Sequence, residues 1–345
     1  MKAARFHAAK DIRVEEVSIP EMKDDSVKIE IEWCGLCGSD MHEYVAGPMV
    51  INEPTVTMGH EFSGTVTEIG EHVTTIKVGD RVVVEPFVAC WKCEACRTGN
   101  YNVCENLQCF GLAGHQGGFA EFVVAPEDRV YKLPDTMSFE QGALVEPTAV
   151  VTHAVRNSQF RIGDTVAVFG AGPIGLLLVQ TLKAAGASKI IVVEVSDTRR
   201  ETALKLGATD LINPIEENPV QKIMSLTANK GVDVSFEAAG VQPTFEAGLN
   251  STKTKGELMI VSLWEKPVSY NPTVAVMQEK KISTSLGYRF IFPSVIELIN
   301  NGMINEDIVI TKKIHLDDIT EEGFEAILND RTQCKILVTP KRSNL

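Results

Sequence analysis

No apolar run in the 345-residue chain approaches the roughly 20 residues that a membrane-spanning helix needs. Positive charge is also short. The 33 lysines and arginines are outnumbered by 46 acidic residues, for a formal net charge of −13. That balance argues against a surface built to neutralise nucleic-acid phosphates. The opening Met1–His7 segment lacks the apolar core of a signal peptide, so the expected compartment is the cytosol. Internal repeats, low-complexity tracts and Gly/Ser-rich linkers are missing as well. With 44% hydrophobic residues, the chain can bury a useful core without a disulfide framework. Its length suggests about two domains. The eight cysteines should be mostly reduced in the cytosol, and the clustering of five of them within residues 90–109 reads as metal binding before disulfides.

The first 145 residues read as β-rich. Val27, Ile29, Ile31 and Trp33 alternate with Lys28, Glu30 and Glu32, the period of a half-buried strand. Further strands are expected at 64–69, 80–85 and 119–125, with no long helical pattern, so a small barrel or sandwich is expected. After about residue 150 short apolar strands alternate with helical patterns. Thr165–Phe169, Ile190–Val195, Val232–Ala238 and Leu258–Leu263 read as strands. Pro173–Ala185 and 198–206 read as helices. This alternation means βαβ units and a parallel sheet. A last strand is expected at Ser283–Leu286, then helices near 294–301 and 321–329 and a strand at 335–339. Local pattern does not say which domain that tail joins.

Cys90-x2-Cys93-x2-Cys96-x7-Cys104 is the strongest short signal. Four thiolates can surround one zinc ion tetrahedrally and leave no open position, so this site should be structural. A second set is different in kind. Cys37, His60 and Glu61 offer a thiolate, an imidazole and a carboxylate, which balance Zn2+ and leave a fourth position open, as catalytic zinc requires. Glu146, a carboxylate in an apolar context, could compete with Glu61 for one place. Adjacent strand residues face opposite ways, so His60 and Glu61 can both coordinate only if the backbone turns there. Cys109 and Cys334 read as small buried residues.

Thr165–Phe169 runs into Gly170-Ala-Gly172-Pro173-Ile174-Gly175, a strand, a tight glycine turn and a helix start. That is the context in which such a motif binds a dinucleotide. Gly170 would make the turn, Gly172 would admit the pyrophosphate to the backbone, and Gly175 would let helix and strand pack. Glu194, at the end of the next strand, would accept hydrogen bonds from the adenosine ribose and repel a 2′-phosphate, favouring NAD over NADP. Arg199 and Arg200 nearby could temper that preference.

Taken together, these motifs resemble the zinc-containing medium-chain alcohol and polyol dehydrogenases along the whole chain. The points of likeness are Gly59-His60-Glu61, the four-cysteine loop, Glu146-Pro147 and the glycine turn. Residues 57–64, 261–266, 286–293 and 312–324 point to a branch acting on vicinal diols and hydroxyketones; a sorbitol- or xylitol-type polyol enzyme is the alternative. A non-catalytic zinc- and NADH-binding sensor is the alternative of another class. The resemblance implies a GroES-like catalytic domain from 1–150 and 288–345, a Rossmann domain from 151–287, and an active site between them. It implies two zinc ions per subunit, NAD(H), a small diol or hydroxyketone substrate, no nucleic-acid or membrane partner, and a homotetramer or homodimer. It gives Ser39 the substrate hydroxyl, His42 the onward proton, and Asp40 the task of orienting His60. Loops around Ala239, Ser262 and Leu286 would border the nicotinamide.

Overall fold

The computed structural model describes residues 1–51, 55–305 and 307–345. It divides into two units, one of Met1–Glu146, Phe292–Asn301 and Val309–Leu345, the other of Pro147–Ile291 and Gly302–Ile308. These borders differ from those expected at 150 and 287. Phe292 belongs with the first unit because its ring lies 5.3 Å from that of Tyr131. Residues 302–308 return to the second, where the side-chain oxygen of Gln180 accepts the Asn305 N–H at 2.7 Å.

The first unit is built around the Ser26–Gly35 strand. Its apolar residues Val27, Ile29, Ile31 and Trp33 are buried, as their alternation requires. This strand pairs antiparallel with Glu61–Ile69, with Phe122–Pro126 and with Lys335–Thr339. The sheet extends through Arg81–Val84 and Val130–Lys132 on one side and Ile310–His315 on the other. The tail therefore returns to the first unit. Its last strand sets Val338 opposite Cys34 and Leu337 opposite Gly35, and the Leu36 N–H donates to the Ile336 carbonyl at 2.9 Å. That register delivers Lys335 to the strand end from which Cys37 departs. A short helix, Gly38–Ala46, follows.

In the second unit six parallel strands lie in the order Asp210–Ile212, Lys189–Val193, Thr165–Phe169, Val232–Glu237, Thr252–Ile260, Lys281–Thr284. The order reverses between the third and fourth of these, the switch point where open parallel sheets bind ligands at their carboxyl ends. Val166, Ala167, Val168 and Phe169 are all fully buried, as expected for a strand covered on both faces.

Several helical segments depart from expectation, Gly38–Ala46 and Gln242–Ser251 among them. Val145–Asn157 is a helix where no helix is expected, because Pro147 near its start and its β-branched residues obscure the period. The Pro219–Leu226 helix is likewise additional. The helix near 321–329 is instead a π-helical stretch, Ile319–Glu325, running into Ala326–Asn329. Among the described residues no helix is long and apolar enough to cross a membrane.

Candidate active site

Cys37 ends the strand-to-helix turn at the N-cap of Gly38–Ala46, and its N–H donates to the Asp40 carboxylate at 2.9 Å. The same helix therefore presents Ser39 and Asp40 in its first turn and His42 one turn later. Two buried anchors hold this helix. The Glu43 carboxylate accepts the N–H groups of Met49 at 2.8 Å and Val50 at 2.6 Å. The Tyr44 hydroxyl donates to Glu325 at 2.6 Å, and its ring lies 4.7 Å from Phe324. The sequence reading missed both residues, since their partners lie outside the local pattern.

The backbone turn that His60 and Glu61 need is present. Gly59 has φ +93°, and a Cβ there would meet the Cys34 sulfur and the Phe119 ring. Beyond it, ligand atoms of Cys37, His60 and Glu61 all lie within 4.8 Å of one another. The Asp40 carboxylate lies 3.5 Å from His60 Nδ1, and the Ser39 hydroxyl lies 3.2 Å from Nε2. The ring is thus flanked by a carboxylate on one nitrogen and faces Ser39 with the other. Burial alone would favour its neutral form. The Asp40 charge and the Cys37 sulfur outweigh burial and raise its proton affinity well above the usual histidine range.

Glu61 is fully buried, and Lys335 donates to both its oxygens at 2.8 and 2.6 Å and to the Leu36 carbonyl at 2.9 Å. Burial opposes the Lys335 charge, but Glu61 and Cys37 keep the ammonium firmly protonated. Cys37, His60 and Glu61 thus offer a sulfur, an imidazole nitrogen and a carboxylate oxygen to one ion, donor types that zinc takes. His60 Nδ1 and Asp40 Oδ1 are buried 3.5 Å apart with no other hydrogen-bond partner among the described residues, so Asp40 is placed to orient the ring of a histidine ligand. The donor set therefore fits zinc. Glu146, 6% exposed in the first turn of Val145–Asn157, stands outside the three-residue cluster.

The four-cysteine loop also fits. The Cys90–Cys96 and Cys93–Cys104 sulfurs lie 4.0 and 3.9 Å apart. Four sulfurs at about 2.3 Å from a central ion are separated by nearly that much. The N–H groups of Lys92 and Cys93 both point at the Cys90 sulfur at 3.4 Å and pull its thiol below the ordinary range. Glu85 ties the loop to the sheet, accepting the Tyr101 hydroxyl at 2.5 Å, the Tyr131 hydroxyl at 3.0 Å and Arg129 at 3.2 Å.

In the second unit the glycine turn has the expected form. Gly170 has φ +95°, and a Cβ on Gly175 would come 1.9 Å from the Gly170 carbonyl oxygen. Gly172 caps the Pro173–Ala184 helix, and a Cβ there would meet open space. That leaves this helix N-terminus, and the Pro173-Ile174 pair that opens it, accessible to an anion. Glu194 is 7% exposed and accepts the Ala171 N–H at 2.7 Å and the Ser196 N–H at 2.9 Å. Arg199 lies in the first turn of Asp197–Leu206. Ala239 and Ser262 follow the carboxyl ends of neighbouring parallel strands, and Leu286 follows the outermost one, 46% exposed.

Comparisons with known proteins agree with this geometry. Residues 23–135 match the model of the alcohol dehydrogenase GroES-like domain, and residues 173–301 that of the zinc-binding dehydrogenases. The chain is 47% identical to the (R,R)-butanediol dehydrogenase of Bacillus subtilis, covering 99% of this chain and 100% of the relative. It is 35% identical to a Bacillus subtilis sorbitol dehydrogenase, covering 99% and 98%. The crystal structure of 2R,3R-butanediol dehydrogenase from Bacillus subtilis is similar with TM-score 0.93 and 48% identity, covering 99% of each chain.

Proposed function

The chain belongs to the zinc-binding alcohol dehydrogenases, and from that premise we propose that it transfers a hydride between NAD(H) and 2,3-butanediol or acetoin. The observation that carries this reading is the convergence of Cys37, His60 and Glu61 within 4.8 Å beside the Ser39 hydroxyl. When bound, zinc would supply a Lewis acid for the substrate oxygen and the nicotinamide a hydride acceptor or donor. Cys37, His60 and Glu61 would hold the metal, with Glu146 as the carboxylate that could take the place of Glu61. Cys90, Cys93, Cys96 and Cys104 would hold the second ion.

This chain's own groups handle the proton. Ser39 Oγ accepts it from the substrate hydroxyl, and His42, one helical turn further on and half-buried, carries it toward water. Histidine suits a relay because it gains and loses protons near working pH. Asp40 keeps the His60 ring oriented while this happens. A vicinal diol or hydroxyketone suits a site with a hydroxyl donor next to the metal ligands, since its second oxygen needs a polar partner. The comparison that tests the reading is turnover of 2,3-butanediol against sorbitol. Preference for the diol is expected; preference for sorbitol would move the chain to the polyol branch, which the sorbitol dehydrogenase relative supports.

His42→Gln should lower diol oxidation by about a hundredfold, the low end of general acid–base assistance, because water can partly replace the ring. The pH profile should lose one ionisation while zinc content and NADH affinity stay put. Full activity with an unchanged profile would remove His42 from the relay.

NAD is the proposed cofactor, with Glu194 selecting against NADP. Its two backbone donors fix the carboxylate at the end of the Lys189–Val193 strand, which supports its proposed contact with the adenosine ribose. A hydrogen bond to a charged group contributes about 1.5–3 kcal/mol. Glu194→Ala should therefore weaken NAD binding by roughly tenfold to a hundredfold and relax discrimination. An unchanged NAD/NADP preference would place selection elsewhere, with Arg199 the first residue to examine.

The working form is proposed to be a homodimer or homotetramer in the cytosol. Among the described residues the outer edge of Lys281–Thr284 is unpaired in the six-stranded sheet. Val276 and Met277, at the end of the short Thr273–Val276 helix before it, are 71% and 77% exposed, apolar surface of the kind that chains cover. Sedimentation showing a monomer at working concentration would contradict this.

A further inference from the structure

The second unit buries a carboxylate that the zinc and proton chemistry does not use. Glu237 is the last residue of the Val232–Glu237 strand and is fully buried. Its partners are four neutral donors. Oε1 accepts the Ala239 and Gly240 N–H groups, each at 2.9 Å, and the Thr244 hydroxyl at 2.7 Å. Oε2 accepts the Ser262 hydroxyl. These donors come from three places: the loop leaving this strand, the first turn of the Gln242–Ser251 helix, and the loop leaving the Thr252–Ile260 strand. One carboxylate thus ties together the exits of two adjacent strands.

Its position is the switch point of the sheet. Glu237 lies opposite Phe169, the last residue before the glycine turn, and opposite Ile260 on its other side. A Cβ on Gly170 would come 3.0 Å from the Ala239 Cβ, so the loop that Glu237 holds packs directly on the glycine turn. Glu194 plays the matching part in the other half of the sheet, accepting the Ala171 N–H beyond the neighbouring strand and the Ser196 N–H beyond its own. A dinucleotide spans two such halves, one mononucleotide on each. Glu194 belongs to the half containing Lys189–Val193, the adenosine half; Glu237 belongs to the other.

We propose that Glu237 is the positioning residue for the nicotinamide half of the cofactor, fixing the 238–241 and 261–263 loops as one wall while taking no part in binding the adenosine half. The proposal rests on the NAD(H) reading above. It gives a role to a buried carboxylate that has no basic partner among the described residues. A buried charge is costly unless fully hydrogen-bonded, and here every bond it makes fixes a strand exit at the ligand edge.

The test compares two ligands on the same variants. ADP-ribose carries the adenosine half and both phosphates, whereas NADH adds the nicotinamide. In Glu237→Ala, NADH affinity should fall by about tenfold or more, the loss expected when hydrogen bonds to a charged group disappear. ADP-ribose affinity should stay within about twofold. Glu237→Gln can keep all four contacts, with its amide donating to Ser262, and should restore most of the NADH affinity. Thr244→Val removes a single donor. It should weaken NADH in the same direction by a few-fold, and it decides the matter if Glu237→Ala does not fold. Equal losses for both ligands would make Glu237 a general scaffold residue and overturn the proposal, as would unchanged NADH affinity. Wild-type protein that binds ADP-ribose but not NADH, or neither, would instead refute the cofactor reading itself.

Discussion

Lys335→Met is expected to cost about 3–5 kcal/mol of folding stability in metal-free protein, the usual loss when one partner of a buried ion pair is removed. Lys335 is 1% exposed and Glu61 not at all, so water cannot take the place of the ammonium. Both Glu61 oxygens would lose their donor, and the Leu36 carbonyl would lose its partner as well. Against a total stability of about 5–15 kcal/mol, the loss should move the denaturant midpoint far down. Zinc should recover part of it, because a divalent cation beside Glu61 supplies the missing positive charge. Denaturant unfolding with and without added zinc reads both effects. A loss below about 1 kcal/mol, the range of exposed pairs, would mean that Glu61 is not held by Lys335 in solution.

Cys37→Ser is expected to lower turnover on the order of a thousandfold or more. The estimate is several kcal/mol of transition-state stabilisation lost with the metal, where each 1.36 kcal/mol is about tenfold. Serine keeps the size of the side chain but offers a neutral hydroxyl in place of a thiolate, a poor zinc ligand. Zinc content should fall from two ions per chain to one, the remaining ion being that of the four-cysteine loop. NADH affinity should stay close to wild type, because the glycine turn and Glu194 lie in the other unit. Loss of NADH binding in a folded Cys37→Ser protein would show that the cofactor and metal sites have been assigned wrongly. Retained zinc with lost turnover would make Cys37 a catalytic group of another kind.

What the sequence makes legible is what short spacing can encode. The four cysteines span 90–104 and need no other part of the chain to converge. The glycine turn likewise carries its strand, turn and helix in one run, and Gly170, Gly172 and Gly175 each occupy the place their chemistry requires. The Ser26–Gly35 strand is visible because its alternation matches burial on one face. His60 and Glu61 are harder. Their joint approach depends on a left-handed turn at Gly59, which a glycine permits but does not announce.

The parts that stayed hidden depend on distant partners. Lys335 lies 274 residues from Glu61, and only the antiparallel register of the last strand against Ser26–Gly35 brings them together. Glu43 and Tyr44 stand side by side in the short Gly38–Ala46 helix. Their burial comes from the 49–51 turn and from the π-helical stretch near Phe324. Glu237 ends an apolar strand much as Glu194 does, yet its role rests on Thr244 and Ser262, which no local pattern connects to it. The Val145–Asn157 helix was missed because Pro147 reads as a break when it is in fact compatible with a first helical turn. Domain borders moved for a similar reason, since Phe292 and Asn305 are claimed by contacts far away in sequence.

The central claim is that a zinc ion held by Cys37, His60 and Glu61 lets this chain oxidise 2,3-butanediol with NAD. The most direct test is to remove zinc from the wild-type protein with a chelator, measure NADH formation from 2,3-butanediol and NADH binding, and then restore zinc. The account predicts that turnover disappears while NADH binding persists, and that turnover returns as zinc is added back. Undiminished diol oxidation by protein shown to be free of zinc would contradict it.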